Sequence, residues 1–325
     1  MEFHIKVLLL SFVVSTILGI IIIPILRKLK VGQIERSDGP QSHLKKQGTP
    51  TMGGIIIGAS VFLVSIFLYI QYKVKQPEIA NNILLLLFVT IGFGLVGFVD
   101  DFKKLVLRNT KGLKPMYKMI GLLIVAVVYT LFLTHVLKIE TDIYIPFIKQ
   151  SILLPIWIYI PFAIFVLLGT TNAVNLTDGI DGLSTTVTTI IITCLTVISI
   201  IFGVKEVTLI GASLVGAGLG FLIFNLHPAK VFMGDTGSLL LGGAIAGIAL
   251  YLKVPILLII IALIPVIETI SVIIQVLYFK KTGNRIFKMA PLHHHFELSG
   301  WSENKVVSVF SIITLILCAI GIFSV

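Results

Sequence analysis

Long uninterrupted apolar runs, separated by short polar connections, occupy most of the chain. Ten can be marked: Val7–Leu26, Met52–Ile70, Ile83–Val99, Met119–Leu137, Ser151–Leu168, Leu183–Phe202, Val207–Leu226, Gly237–Leu252, Val254–Tyr278 and Val306–Val325. About twenty helical residues cross a hydrocarbon core of roughly 30 Å. Barrel strands would alternate apolar and polar positions, and these runs do not, so the pattern predicts helices. Only Lys253 separates the eighth run from the ninth. Pro265 lies inside the ninth and predicts a kink there. The first run has no small-residue cleavage site before its basic flank, so it reads as a retained span rather than a signal peptide. The expected fold is an all-α integral membrane protein: ten transmembrane helices forming one polytopic domain over residues 1–325, with the ninth helix kinked.

Composition strengthens this reading. The 325 residues are 57% hydrophobic and 12% charged, with mean hydropathy +1.07, whereas a soluble domain is about 45–50% apolar and about 25% charged. Cys194 and Cys318 each sit inside an apolar run, which argues against a disulfide framework or a thiolate metal site. Lys and Arg set the orientation. The connections between runs 1–2, 3–4, 5–6, 7–8 and 9–10 hold 18 of the chain's 25 basic residues, so that side is cytoplasmic. Ten spans then place both termini outside the cytoplasm. The net charge of +10 follows from this bias and from attraction to anionic headgroups of the bilayer. A nucleic-acid partner is not required.

Every unusual polar cluster falls in one of those five cytoplasmic connections, 27–51, 100–118, 169–182, 227–236 and 279–305. The outer connections carry scattered charges, and the alternating Ile-Tyr-Ile-Pro-Phe-Ile in Lys138–Gln150 could form a small hairpin. A transporter would place polar groups near the bilayer midplane and often shows internal repeats; neither is visible. The third connection is the densest. Asn172, Asn175, Asp178 and Asp181, with Gly179 and Gly182, exceed what a turn needs, and suggest ligands held on a short bent backbone. The second opens on Asp100-Asp101. Adjacent carboxylates at a helix C-terminus suffer mutual repulsion and an unfavourable dipole, a cost that a cation or a shared proton would offset. Lys103 and Lys104 could instead neutralise a solvated pair. Lys111, Lys114 and Lys118 add charge suited to a phosphorylated ligand.

In the first connection Lys45 and Lys46 offer charge, and Thr49 and Thr51 offer hydroxyls beside glycines that let a phosphate approach the backbone. The same stretch could be a positive-inside anchor with Pro50 near a helix start. The fourth runs from Asn225 through Phe232 to Gly234-Asp235-Thr236-Gly237-Ser238. A carboxylate there could hold Mg²⁺ across diphosphate oxygens, or simply cap the helix. Phe232 could stack on a flat base or anchor at the interface. The fifth contains His293-His294-His295, whose spacing does not match a zinc helix and fits hydrogen bonding near a phosphate better. Glu268 and Gln275 interrupt the preceding apolar run. A charge at the membrane centre costs on the order of 2.5–3.5 kcal/mol on insertion scales, so Glu268 should face the bundle interior or be protonated.

Marks of P-loop ATPases, serine hydrolases and zinc metalloproteases are absent, and Lys104 stands where Asp-Asp-x-x-Asp would need its last aspartate. Together, Asp100-Asp101, the 172–183 stretch and the 232–238 stretch resemble motifs of the polyprenyl-phosphate N-acetylhexosamine-1-phosphate transferase superfamily. Gly48-Thr-Pro-Thr-Met-Gly-Gly54 and Pro291-Leu-His-His-His-Phe-Glu297 resemble its phospho-N-acetylmuramoyl-pentapeptide transferase branch. The resemblance covers essentially the whole chain. It implies a homodimer in the bacterial inner membrane, with a cytoplasmic cleft beside a groove for undecaprenyl phosphate. UDP-N-acetylmuramoyl-pentapeptide would be the donor, Mg²⁺ the metal, and UMP the leaving product of the first lipid-linked step of peptidoglycan synthesis. The implied site has Asp100, Asp101, Asp235 and His294 as catalytic residues, and Asp235 and Asp178 as metal ligands. Lys46, Thr51, Lys114, Lys118, Asn172, Asn175, Asp178, Asp181, Asn225, Phe232, Gln275, His293 and His295 would bind substrate, with Phe232 near the uracil. The rivals are a sister enzyme transferring N-acetylglucosamine-1-phosphate, against which the triple histidine argues, and a transporter or flippase of a phosphorylated solute.

Overall fold

The computed structural model describes residues 2–29, 48–105 and 112–325. The membrane helices are α1 (Phe3–Lys28), α2 (Gly54–Tyr72), α3 (Pro77–Leu105), α4 (Pro115–Leu131, extended by a π turn over Phe132–Val136), α5 (Ile156–Thr177), α6 (Leu183–Ile201) and α7 (Lys205–Asn225). They are followed by α8 (Gly234–Tyr251), the short α9 (Leu258–Ile261), α10 (Leu263–Thr282), the short α11 (Leu292–Glu297) and α12 (Glu303–Ser324). Nine helices among the described residues are long and apolar enough to cross a membrane, so the chain is a multi-pass, all-α membrane protein. Large apolar side chains such as Ile17, Ile20 and Ile21 of α1 and Phe165 of α5 point outward, as lipid-facing positions should.

α8, the expected eighth span, is not among the nine. It has 18 residues, opens on Gly-Asp-Thr-Gly-Ser and is rich in glycine, so its mean apolarity is diluted. Packing explains the composition, because Thr236 to Tyr251 are all buried against protein. A Cβ on Gly242 would lie 2.6 Å from the Thr171 Cα, on Gly243 2.5 Å from the Phe93 ring, and on Gly247 2.6 Å from Val89. Small residues let α3 and α5 close on α8, the usual device where lipid supplies no hydrophobic drive between helices. The α1–α7 contact uses the same device with hydroxyl glue: Ser11 and Ser15 donate to the carbonyls of Ser213 and Ala217 at 2.7 and 2.8 Å.

Several boundaries differ from expectation. The outer hairpin exists, with β1 (Asp142–Ile145) antiparallel to β2 (Gln150–Leu153) and Asp142 opposite Leu153. β2 therefore takes Ser151–Leu153 out of the expected fifth span, and α5 begins only after Pro155. α5 then continues to Thr177, so Asn172 and Asn175 lie on a helix rather than in a loop; likewise Asp100 and Asp101 belong to α3. In the ninth run the chain breaks at Ala262 (φ −105°, ψ 27°) instead of bending at Pro265. Proline has no N–H for the carbonyl four residues back and its ring crowds that turn, so the disruption appears one turn earlier in the chain.

Candidate active site

Helix ends create the site. Asp100 and Asp101, buried at the end of α3, find the compensation that two adjacent carboxylates need. Asp101 accepts hydrogen bonds from the Thr236 N–H (2.9 Å) and hydroxyl (2.7 Å) and from the Asp235 N–H (3.3 Å). It thereby caps the N-terminus of α8 from a different helix, where the dipole favours an anion. Asp100 pairs with Lys104 at 2.7 Å, one helical turn along, and accepts from the Leu113 N–H at 2.6 Å.

Because Asp101 does the capping, Asp235 is not the cap of its own helix. Its Oδ2 takes Lys104 Nζ at 2.9 Å and Lys118 Nζ at 3.0 Å, and its Oδ1 accepts from Asn175 Nδ2 at 2.8 Å. Asn175 also reaches Ser238, at 2.8 Å. Three helices, α3, α4 and α5, thus converge on one carboxylate of α8. Lys104, Lys118 and Asn175 offset the cost of burying this carboxylate. Asp178 differs. It ends α5, accepts from the Gly234 N–H, and is pushed up to about 8 by burial, then by the charges of Asp235 and Asp101.

The first connection is tied to the same place. The Phe232 N–H donates to Pro50 O (2.8 Å), and the N–H groups of Gly53 and Gly54 donate to Phe232 O (2.8 Å) and Met233 O (2.9 Å). Between them Met52 is held at φ +69°, a conformation that costs a side-chain-bearing residue about 1–2 kcal/mol. Gly234, at φ +74°, could not carry a side chain: a Cβ would meet Asp101 Oδ2 at 2.8 Å and Thr51 Oγ1 at 2.9 Å. Gly97 lets α3 touch the first turn of α8, since a Cβ would lie 2.2 Å from the Asp235 carbonyl oxygen.

The other expected site residues have partners of their own. Asp181 accepts from the Ala229 N–H (3.1 Å) and lies 2.9 Å from His227 Nδ1; its own N–H reaches Glu303 at 3.4 Å. These three side chains form a second cluster, the group of His, Asp and Glu among the described residues whose atoms lie close enough to share a metal. Asn225 is buried and closes its own turn through Val231 O (3.0 Å) and the Thr185 hydroxyl (2.7 Å). Asn172 bonds back to Leu168 O. Gln275 holds the backbone at Ile286 and Phe287, His294 meets Glu297 at 2.9 Å, and His295 Nδ1 accepts from the Lys288 N–H at 3.2 Å. His293 is fully buried, Phe232 is half-buried, and Lys114 is exposed before α4. Lys46 lies outside the described residues. Lys104 is the residue that sequence reasoning gave only a neutralising role; its i,i+4 spacing from Asp100 was the available signal.

The donor set suits a hard divalent cation. Asp100, Asp101, Asp178 and Asp235 offer only oxygen, face just Lys104 and Lys118 as the cations bonded here, and so leave an excess of negative charge if all ionise. Asp178 is raised first by burial and then by the charges of Asp235 and Asp101. Oxygen-only ligation fits Mg²⁺, whereas the imidazole of the Asp181–His227–Glu303 group fits softer metals better.

Comparison with known proteins identifies the family. The glycosyl transferase family 4 model matches residues 83–253, from α3 through α8 to the turn beyond. A phospho-N-acetylmuramoyl-pentapeptide-transferase signature matches residues 46–57. The phospho-N-acetylmuramoyl-pentapeptide-transferase of Halalkalibacterium halodurans is 51% identical over 316 residues, covering 97% of this chain and 95% of that protein. Those of Acetivibrio thermocellus and Bacillus subtilis are each 48% identical, covering 99% and 97% of this chain and 95% and 96% of their own lengths. On the strength of these matches over nearly its full length, the chain belongs to the phospho-N-acetylmuramoyl-pentapeptide-transferases of glycosyl transferase family 4.

Proposed function

We propose that the protein transfers phospho-N-acetylmuramoyl-pentapeptide from UDP-N-acetylmuramoyl-pentapeptide to undecaprenyl phosphate, releasing UMP. The observation that carries this reading is the convergence of Lys104, Lys118 and Asn175 on Asp235, with three more carboxylates beside it. Asp235 and Asp178 would hold Mg²⁺, with Asp100 and Asp101 close by. When bound, the ion supplies positive charge between diphosphate oxygens. Lys104 and Lys118 supply mobile ammonium groups that can turn from Asp235 to incoming phosphate oxygens. Asp101, by capping α8, fixes the backbone that carries Asp235, and so aligns the reacting groups in advance.

In the reaction an oxygen of the lipid phosphate forms a bond to the sugar-linked phosphorus, and the bond from that phosphorus to the UMP oxygen breaks. UMP needs little acid assistance to leave. A phosphate monoester has its second pKa near about 6, so the attacking group is already mostly a dianion at neutral pH. Asp100, engaged by Lys104 and the Leu113 N–H, is then better suited to hold Lys104 in place than to remove a proton. Asn172, Asn175, Asp181, Asn225 and Phe232 would lie along the uridine side. Lys46, Thr51, Lys114, Gln275, His294 and His295 would lie along the sugar and peptide side.

The same reading takes α8 as a tenth span. The chain is then one polytopic domain, with both termini outside and five loops gathered at the cytoplasmic face of the bacterial inner membrane, and it works as a homodimer. The basic residues of those connections support the orientation. Purified protein given Mg²⁺, the UDP-linked donor and a polyprenyl phosphate tests the function. UMP release is expected; turnover of UDP-N-acetylglucosamine instead would favour the sister transferase, and no UMP at all a transporter.

A further inference from the structure

Glu268 and His293 are both fully buried, yet neither is used by the reaction outlined above. Glu268 sits on α10 six residues beyond the break at Ala262. Its Oε1 accepts from the His293 backbone N–H at 3.2 Å, which ties down the first turn of α11, and lies 3.3 Å from His293 Nδ1. Among the described residues, Glu268 Oε2 and both ring nitrogens of His293 lack a hydrogen bond of good geometry. Buried polar atoms are normally satisfied, so three in one place call for an explanation. The far side of the ring meets a backbone turn. His293 Nε2 stands directly over Gly179, where an added Cβ would lie only 2.1 Å from it. Gly179 follows Asp178 in the turn between α5 and α6.

The geometry points to Glu268 as a positioning residue that acts through His293. A carboxylate oxygen only accepts, so the imidazole nitrogen facing it carries the hydrogen. Glu268 thereby sets the Nδ1–H tautomer and the ring's orientation, as carboxylates do for histidines elsewhere. The ring bears on Gly179 and fixes the height of the turn that carries Asp178. An intramembrane carboxylate is in this way linked to the centre 235–238 without touching substrate. His293, expected to bind substrate, is instead an internal support of the turn. This inference rests on the proposed function only for its kinetic consequence.

Glu268→Gln is the informative variant, because Gln keeps an oxygen for the His293 N–H and nearly the same volume. In the full-length protein in nanodiscs, three quantities are read. ¹⁵N NMR of labelled histidine should show His293 leaving the Nδ1–H tautomer. Amide exchange of Gly179–Asp181 should speed up at least tenfold. With UDP-muramoyl-pentapeptide and polyprenyl phosphate, kcat should fall ten- to a hundredfold while the donor KM moves less than threefold. Glu268→Asp, which keeps the charge, should recover part of the kcat. An unchanged tautomer, or unchanged exchange in the turn, overturns the proposal; so does a changed tautomer with wild-type kcat. Should wild-type protein release no UMP, the proposed function fails, and NMR and exchange still decide the role of Glu268.

Discussion

Asp235→Asn removes one charge from the centre and little else. Asparagine is nearly isosteric, and its oxygen can still accept one lysine, or the Asn175 amide. What disappears is an anion that now takes Lys104 at 2.9 Å, Lys118 at 3.0 Å and Asn175 at 2.8 Å. A hydrogen bond to a charged group contributes about 1.5–3 kcal/mol. Lys104 is over a third exposed, so its share must be cut towards the surface value of about 0–1 kcal/mol. Against this loss, Asp178 is freed from a neighbouring negative charge that destabilises its ionised form. The two effects oppose each other, and folding stability should change by no more than about 1–2 kcal/mol. Catalysis has no such compensation. Loss of a metal-holding carboxylate forfeits several kcal/mol of charge stabilisation, and about 4 kcal/mol is a factor of roughly 10³. UMP release by purified enzyme in detergent should therefore fall at least a thousandfold, while the melting temperature moves by a few degrees. Turnover within tenfold of wild type, at unchanged melting temperature, would refute this placement of the metal.

Lys104→Met keeps the aliphatic stem and removes the charge shared by Asp100 and Asp235; UMP release should drop at least thirtyfold, and full activity would return Lys104 to a surface role. Gly97→Ala forces a methyl to within 2.2 Å of the Asp235 carbonyl, so α3 and α8 must separate; overpacking of this kind costs about 1–3 kcal/mol. Melting temperature and turnover should both fall. Gly169→Ala, with nothing within 4 Å of the added Cβ, should not lower either. Asp178 makes stability depend on pH. Its carboxyl is raised from 3.8 to about 8, so the folded protein binds more protons than the unfolded chain between those values. Metal-free protein should lose stability as pH rises from about 4 towards 8 through this group, and Mg²⁺ should restore more at pH 8.5 than at pH 6. Melting curves with and without Mg²⁺ at both values check this; an equal increment would remove Asp178 from the metal site.

The apolar runs made the helices legible because lipid leaves a spanning segment little choice. α8 was harder to classify. Its Gly242, Gly243 and Gly247 are determined by neighbours in space, and hydropathy cannot see those neighbours. The carboxylates were legible as a group, since Asp100-Asp101 and Asp178 are costly wherever they lie. Their division of labour was not. That Asp101 caps α8 while Asp235 gathers two lysines depends on contacts across 117 to 135 residues of sequence. The break at Ala262 is a local effect displaced by one turn, so Pro265 predicted the event and missed the place. His293 read as a ligand because three consecutive histidines look functional; its burial between Glu268 and Gly179, on which the inferred supporting role rests, is set by neighbours distant in sequence.

Diffraction from crystals soaked in Mn²⁺ as a stand-in for Mg²⁺ shows which carboxylates hold the metal. The account predicts one anomalous peak at coordinating distance from an oxygen of Asp235, about 2.0–2.2 Å, with Asp178 beside it. A peak held instead by Asp181, His227 and Glu303, with none at Asp235, would contradict it.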